Sequence, residues 1–547
     1  MKPTIYPRTV LKSAKLIGKE IHIKFPLDQQ TLDQVRSITG RRWHSIEKYW
    51  SCPASVNTCK QLIQWGFHFD ELLQEYLSNA QKKLTESSVK TNFEIAGLNG
   101  ILRPFQKTGV GLIDNFNGNA ILADDMGLGK TIQILAYLQL HIELRPAIIV
   151  VPACVKLNWQ REALKWLNKP KIQILNGQTP DYTQKADLFI INYDILPYWL
   201  ETLYKIQAKI LILDEVQYVK SNKANRTKAV KKLAKRIDHV LSLSGTPIMN
   251  RPIEIFNAWS MSDPVNCPSY WDFTHRYCNP KHNGYGWDFN GASNIPELHQ
   301  KLLDSCMIRR LKKDVLTELP EMQSSFLPFE IDNEKEYRDA ERNFIQYVRV
   351  TKGDHAATKA EGAETLSQIE GLKQLAVKGK LNQTVSWIED FLESGEKLVV
   401  FAHHKFVIEQ LATKFGNICR KIDGSASMQQ RQESVDLFQQ DPLCQLMIIS
   451  LAGGVGITLT GASNLAVLEY PWDPMTLDQI LSRIHRLGQV KNVMIYFTMG
   501  LNTIDEKIAK LLDEKRKIVD AVMDGKETEV TSLLTELLKE YKNETND

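Results

Sequence analysis

Short apolar, β-rich runs recur along this chain with helical patterns between them, and that alternation limits the possible folds more than any other feature. Between about 100 and 260 the runs are AILADD, AIIVVP, DLFIINY, ILILDE and HVLSLSG; between about 395 and 500 they are KLVVFAHH, LMIISL, LAVLEY and VMIYFT. A strand that is apolar along its whole length is covered on both faces, and a helical stretch between two such strands supplies the crossover of a parallel sheet. The fold class predicted is therefore α/β, with two parallel-sheet lobes at 97–262 and 379–510. The stretch 263–378 carries charged helical patterns and the Gly- and Asn-rich KHNGYGWDFNGASN (281–294), which predicts helical insertions, loops and an interlobe linker.

Ahead of the lobes, residues 1–80 read as a small α/β module. IHIKF (21–25) alternates as a half-buried strand does, and the spaced aromatics of GRRWHSIEKYWSCP (40–53) predict a short strand pair. The polar NAQKKLTESSVKTN (79–92) has no apolar periodicity, so 81–96 reads as a linker. The charged segment 511–547 reads as terminal helices.

Composition excludes several classes. At 547 residues, with 43% hydrophobic and 24% charged, the chain has material for three or four domains of about 150 residues. No run approaches the roughly 20 apolar residues of a membrane span, and the opening MKPTIYPRTVLKSAK lacks a signal peptide's apolar core, so a soluble intracellular chain with no membrane partner is expected. The eight cysteines are scattered without CxxC or Cys/His groupings, which indicates neither a disulfide framework nor a zinc module. Net charge is only +4, but it is uneven: residues 1–90 hold 14 Lys and Arg against 8 Asp and Glu, and Lys220–Arg236 holds eight basic residues and no acid. That stripe fits either a DNA-facing surface or a solvated helix. The eleven tryptophans are expected in cores and lobe packing rather than as base-stacking platforms.

The chemistry concentrates in three places. In ILADDMGLGKT (121–131) a strand-like run meets a glycine turn and then a helix. Such a loop presents backbone N–H groups to phosphate, Lys130 can reach the β- and γ-phosphates of a nucleotide, and Thr131 can hold Mg²⁺. Asp124 stands where the eight-residue phosphate-loop pattern has its first glycine, and a tight turn with an incidental lysine is the competing reading. ILILDEVQ (210–217) ends an apolar strand in two carboxylates: Asp214 is placed for the Mg²⁺ shell and Glu215 to orient and deprotonate a water. RIHRLGQ (483–489) spaces Arg483 and Arg486 by three, which predicts one helical face from which both guanidinium groups reach a γ-phosphate, although an isolated pair of this kind is usually a surface feature.

Taken in order, these segments resemble the motifs of Swi/Snf-type superfamily two helicase-like ATPases over residues 97–525. LRPFQKTGV (102–110) resembles the adenine-reading Q motif, DDMGLGKT motif I, VVPACVKLNW (150–159) motif Ia, LDEVQ motif II, SLSGTP (242–247) motif III, VVFAHH (399–404) motif IV, GGVGITLTGAS (453–463) motif V and DQILSRIHRLGQ (478–489) motif VI. The resemblance implies two RecA-like lobes. It makes Lys130, Asp214, Glu215, Arg483 and Arg486 catalytic, and Thr131 and Asp214 the Mg²⁺ ligands. It further places ATP against Arg103, Gln106, Asp125, Met126, Gly127, Leu128, Gly129, Lys130, Thr131, Gln217 and Gly456. Gln217 stands where motif II usually ends in His; both side chains can donate and accept hydrogen bonds, so coupling to motif III is expected to survive the change. The insertion RYCNPKHNGYGWDFNGASNIPELHQKLLDSCMIRRLKKDVLTELP (276–320) resembles the annealing-helicase branch, and the N-terminal block resembles its HepA-related accessory module. TIDEKIAKLLDEKRKIVDAVMDG (503–525) resembles a helix bracing the lobes.

The branch implies an ATP-driven translocase on double-stranded or branched DNA, with strand annealing or fork remodelling in repair or replication. Single-strand-binding or repair proteins are the protein partners such a role suggests. The rival readings are a DNA-unwinding or protein-displacing motor of a nuclease or defence complex, and a catalytically weak DNA clamp.

Overall fold

The computed structural model describes residues 12–18, 20–38, 41–54, 56–86, 94–180, 185–245, 251–282, 286–350, 359–454 and 456–523, with Leu537 and Tyr541. Thr246 and Pro247 of SLSGTP, and residues 87–93 of the expected linker, lie outside them.

The N-terminal module is a five-stranded sheet. It consists of β1 (Ser13–Ile17), β2 (Glu20–Lys24), β3 (Arg42–His44), β4 (Tyr49–Pro53) and β5 (His68–Phe69), in the order β3-β4-β2-β1-β5. The expected strand pair is the antiparallel β3–β4 hairpin, with Trp43 opposite Trp50. Ala14, Ile21, Ile23 and Cys52 share one face with Val35, Cys59, Leu62 and Leu73 of the module's helices. Alternation therefore gives Lys15, His22 and Lys24 to the other face. The third helix, Glu71–Glu86, runs into the polar stretch read as a linker as far as Glu86. Leu73 and Leu77, on its first two turns, are buried in the module core and anchor it.

Lobe 1 is an all-parallel seven-stranded sheet built on β6 (Ala120–Leu122), β7 (Ala147–Val151), β8 (Ile172–Ile174), β9 (Leu188–Asn192), β10 (Ile210–Leu213) and β11 (His239–Leu243). Every residue of β7, β9 and β10 is buried. Successive side chains enter opposite cores: Ile148, Val150, Leu211 and Leu213 pack on one face, and Ala147, Ile149, Val151, Ile210 and Ile212 on the other. Fully apolar strands in the sequence are the direct consequence.

The segment 263–378 departs from the expectation of insertions and linker alone. It does hold helices and a hairpin, β12 (Lys281–His282) with β13 (Trp287–Asp288). It also completes both lobes. β14 (Met307–Ile308) joins the lobe 1 sheet at its edge, giving the order β14-β6-β11-β10-β7-β9-β8. β15 (Met322–Phe329) pairs in parallel with the last strand of lobe 2 along eight residues. The helices Glu334–Val350 and Lys359–Leu392 follow, and Tyr337, Phe344, Ile369, Leu372 and Ala376 are part of the lobe 2 core. The chain thus passes between lobes in the short stretch after Ile308, not near 378. β14 is too short to show a period, and the polar, edge-facing MQSSFLPF of β15 does not read as a buried run.

The remaining strands are β16 (Leu398–Phe401), β17 (Cys419–Ile422), β18 (Leu446–Ile449), β19 (Asn464–Val467) and β20 (Val493–Gly500). With β15 they form the parallel order β15-β20-β19-β16-β18-β17. Again alternate residues separate, Val399 and Phe401 to one core, Leu398 and Val400 to the other. The helix Ile504–Met523 buries Ile504, Ile508, Leu511 and Leu512 against lobe 2, pairs Arg516 with Asp478, and meets the lobe 1 helix Ile295–Ser305. Among the described residues no helix is long and apolar enough to cross a membrane.

Candidate active site

The loop between β6 and the helix Lys130–Leu140 forms the floor of the site. Gly127 (φ 87°) and Gly129 (φ 78°) hold left-handed conformations that suit glycine, and Gly129 caps the helix. The N-terminal amides of that helix lack partners within it, which makes this end an anion site. Buried Gln106 fixes the loop: its Oε1 accepts from the Arg103 amide (3.0 Å), and its Nε2 donates to the Leu128 carbonyl (3.2 Å). A Cβ at Gly129 would lie 2.6 Å from that Nε2, so the close approach requires glycine. Leu128 is buried. The Arg103 side chain pairs with Glu318 of the insertion.

Lys130 Nζ donates to the carbonyls of Asp124 (2.6 Å) and Asp125 (3.2 Å). Burial pulls its pKa down, opposed by the surrounding carboxylates Glu215, Asp124, Asp214 and Asp125. Thr131 follows in the first helical turn. Asp214 and Glu215 close the end of β10. Asp214 accepts from Trp159 Nε1 (2.7 Å) and from the Glu215 amide (3.0 Å). Burial, reinforced by neighbouring Glu215, pushes Asp214 up to about 7. Glu215 has φ 51°, a left-handed conformation that costs a non-glycine residue roughly 1–2 kcal/mol. Gln217 Nε2 donates to Glu215 (2.7 Å), and its Oε1 accepts from Ser244 Oγ (2.8 Å). The residue that replaces the usual motif II histidine thus links the carboxylate pair to the motif III strand exit.

Lobe 2 closes over this floor. Arg483 and Arg486 both direct Nη1 at the Ile457 carbonyl, at 3.5 and 3.4 Å. They share a side as expected, but not on a helix. The helix Pro474–Leu481 ends before them, and the turn that follows is held by Gln489, whose Nε2 donates to the carbonyls of Ala462 (2.8 Å) and Ile484 (3.1 Å). Those bonds and Gly488 (φ 97°) divert the chain from the helical ladder. Burial, then the neighbouring Arg486, draws Arg483 down to about 10, with Glu215 opposing the shift. A Cβ at Gly127 would lie 3.0 Å from Arg486 Cβ, and Ser482 Oγ donates to Met126 Sδ (3.9 Å), so motif VI rests on the phosphate loop. Gly456 (φ 77°) lies against Val155 so closely that a Cβ would overlap it, and Arg161 pairs with Asp436 across the cleft (3.5 Å). A cleft of about 310 Å³ opens beside these contacts, lined by Asn158, Arg161, Lys165, Arg431 and Thr458 among others.

The structure gathers Gln106, Lys130, Asp214, Glu215, Gln217, Arg483 and Arg486 about the phosphate loop, leaves the Arg103 side chain on Glu318 and Gly456 against Val155, and adds a group that sequence reasoning missed. Arg310, just past β14, pairs with fully buried Asp124 (Nε–Oδ1 2.9 Å) and donates to Gln133 (2.7 Å). Lys312 donates its amide to Asp125 (2.9 Å) and its Nζ to the His485 carbonyl (3.0 Å), joining loop to motif VI; burial draws its pKa to about 8. The signal available was the doubled arginine of MIRRLKK directly after a short apolar run. Four cationic side chains from two lobes, Lys130, Lys312, Arg483 and Arg486, each with its pKa lowered chiefly by burial, converge with a carboxylate pair on one glycine loop. That donor set fits a magnesium-bound nucleoside triphosphate, for which Thr131 and Asp214 are the residues that would hold the metal.

The chain belongs to the SNF2-related family of helicase-like ATPases. The SNF2-related domain matches residues 71–380, more than half the chain, and the helicase conserved C-terminal domain matches 379–488. It is 32% identical over 433 residues to the SWI/SNF-related matrix-associated actin-dependent regulator of chromatin subfamily A-like protein 1 of Xenopus laevis, covering 77% of this chain and 44% of that protein. To the DNA annealing helicase and endonuclease ZRANB3 of Homo sapiens it is 30% identical over 477 residues, 83% of this chain and 44% of that protein. A Caenorhabditis elegans homologue of the first aligns over 96% of this chain and 78% of its own length at 28% identity. The chain spans less than half the length of the first two relatives.

Proposed function

We propose that this chain is an ATP-driven translocase on double-stranded or branched DNA that anneals strands or remodels forks. The observation that carries the reading is the closure of lobe 2 upon the phosphate loop, which sets Arg483 and Arg486 opposite Lys130, Asp214 and Glu215. A magnesium ion on Thr131 and Asp214 would neutralise charge on the β- and γ-phosphates. Lys130 binds those phosphates, exchanging its carbonyl partners for anionic oxygens. Glu215, positioned by Gln217, accepts the proton of the attacking water. Arg483 and Arg486 stabilise charge developing on the transferred phosphoryl group, and they do so only while the lobes are closed. Opening after hydrolysis withdraws them, so each ATP is tied to one cycle of lobe movement.

DNA is the substrate this motion fits best. Arg161, Lys165 and Arg431 line the interlobe cleft, where phosphate contacts give sequence-independent, salt-sensitive binding. The module's helix-free sheet face supports a role at branched DNA. His22, Tyr49 and His44 stack there, with centroids 4.3 and 4.4 Å apart, and Lys15, Lys24 and Arg42 stand exposed around them. The module docks on lobe 1 through the Lys60–Asp304 pair (2.9 Å). The annealing-helicase description of one relative agrees with this reading. The test is ATP turnover on a fork relative to blunt duplex. Lys24→Glu with Tyr49→Ala should remove most of the fork preference and leave duplex-stimulated turnover within about twofold. An unchanged fork preference refutes the module's role.

A further inference from the structure

Only three of the eleven tryptophans are exposed, Trp43, Trp271 and Trp287, and two of these meet on the lobe 1 insertion. Trp271 (55% exposed) lies on the helix Tyr270–Tyr277 and Trp287 (47% exposed) on β13, their rings perpendicular at 6.2 Å. His275 stacks on Trp271 at 3.7 Å and meets Trp287 edge-on at 5.3 Å, while His282 meets Trp287 at 5.4 Å. None of the motifs from Q to VI and no residue of the ATP site belongs to this cluster.

The cluster is continuous with the basic stripe whose purpose composition left open. From His275 the ring contacts run through Phe289 (5.9 Å) and Tyr270 (6.2 Å) to Phe256 (5.1 Å). Lys231 Nζ lies 5.7 Å over Phe256 and bonds Asn222. Lys231 belongs to the helix Asn225–Ala234. Within the stripe, Lys220 pairs with Glu254, Arg226 with Asp194, and Arg236 stacks on Tyr204. Lys223, Lys228, Lys232 and Lys235 are exposed and form no ion pair among the described residues. Lys281, on the hairpin itself, is exposed too. The carboxylates nearest the rings are engaged locally, Asp272 by Ser269 and Asp288 by the Asn290 amide.

Protein-docking patches also use Trp and Tyr, but lysine is depleted from them, whereas here a row of exposed lysines, unpaired among the described residues, stands beside the rings. Exposed rings next to a cationic track are the elements that hold single-stranded nucleic acid, bases on the rings and phosphates on the lysines. Duplex DNA, with its bases already stacked, has no use for the rings. We infer that Trp271, Trp287 and the Lys223–Lys232 stripe form a holding site for single-stranded DNA on lobe 1, separate from the interlobe cleft. The inference rests on the DNA-motor reading: at a fork, the site would retain an arm that the duplex track does not engage.

The test compares full-length wild type, Trp271→Ala/Trp287→Ala, Trp271→Phe/Trp287→Phe and Lys228→Glu/Lys232→Glu. Binding to fluorescein-labelled oligo(dT) and to a duplex of equal length is followed by anisotropy across a salt series. The alanine pair should weaken oligo(dT) binding about tenfold or more, and the phenylalanine pair should stay within about threefold. The lysine pair should flatten the salt dependence by roughly one to two contacts. Duplex affinity and duplex-stimulated ATP turnover should be unchanged in the alanine pair, with wild-type melting temperature as the control for folding. Undiminished oligo(dT) binding by the alanine pair overturns the inference and leaves a protein-docking surface; an equal loss on duplex overturns it as well. Absence of duplex-stimulated turnover in wild type would instead refute the motor reading, a result distinguishable from either.

Discussion

Gln217 has two partners, one on each side of the reaction. Its amide holds Glu215, and its carbonyl holds Ser244 at the end of β11. Gln217→Ala frees the carboxylate without removing it, so turnover should fall about tenfold with KM for ATP nearly constant, whereas Gln217→His should retain most activity; steady-state kinetics on the three proteins decides. Arg310 makes a different kind of contribution. Removing it strands Asp124, a fully buried carboxylate, so Arg310→Ala should cost about 3–5 kcal/mol in urea unfolding, and adding Asp124→Asn should recover part of that. At this scale the sequence was legible where residue type and spacing state the chemistry, as at Lys130, Asp214 and Glu215. It was silent on Arg310 and Trp159, whose roles depend on partners 186 and 55 residues away.

Strand positions were legible for the same physical reason that the lobes are stable: a central parallel strand is buried on both faces and reads as one apolar run. Elements that break this condition were missed. β14 spans two residues, β15 carries Ser324 and Ser325, and the motif VI arginines sit on a turn fixed by a side chain, Gln489, rather than by backbone periodicity. One junction between elements makes a pH prediction. Buried Glu469, two residues beyond β19, accepts from the amides of His403 (2.9 Å) and His404 (3.0 Å) and from His404 Nδ1 (2.5 Å), tying β19 to the end of β16. The hydrogen bond to Glu469 raises His404 above its ordinary 6.5, with Glu370 adding to the shift and Lys373 opposing it. The His404 contacts and amides hold Glu469 below its ordinary 4.5 despite its burial. A raised histidine gives its full stabilisation below 6.5 and loses it as pH climbs through its elevated pKa; a lowered carboxylate gives its own above 4.5 and loses it in acid. The stability difference between wild type and His404→Gln should therefore be largest near about pH 5.5 and shrink by about pH 8.5, as measured by urea unfolding.

The molecule as a whole is two sheets whose loops meet, with a third sheet carried on lobe 1. Close contacts cross the cleft, among them Gly456 on Val155, Arg486 on Gly127 and Lys312 on His485. Gly456→Val should hold the lobes apart, lowering turnover about a hundredfold while lobe 1 keeps its affinity for a non-hydrolysable ATP analogue within about threefold. On the function proposed, closure of this cleft on ATP is converted into movement along duplex DNA. The most direct measurement is displacement of a triplex-forming strand from a duplex, followed in time with ATP, with a non-hydrolysable analogue, and with Glu215→Gln. Wild type with ATP alone should displace the third strand, at a rate that falls as salt rises, and the other two reactions should displace none. Brisk, DNA-stimulated ATP hydrolysis by wild type with the third strand left in place would contradict it.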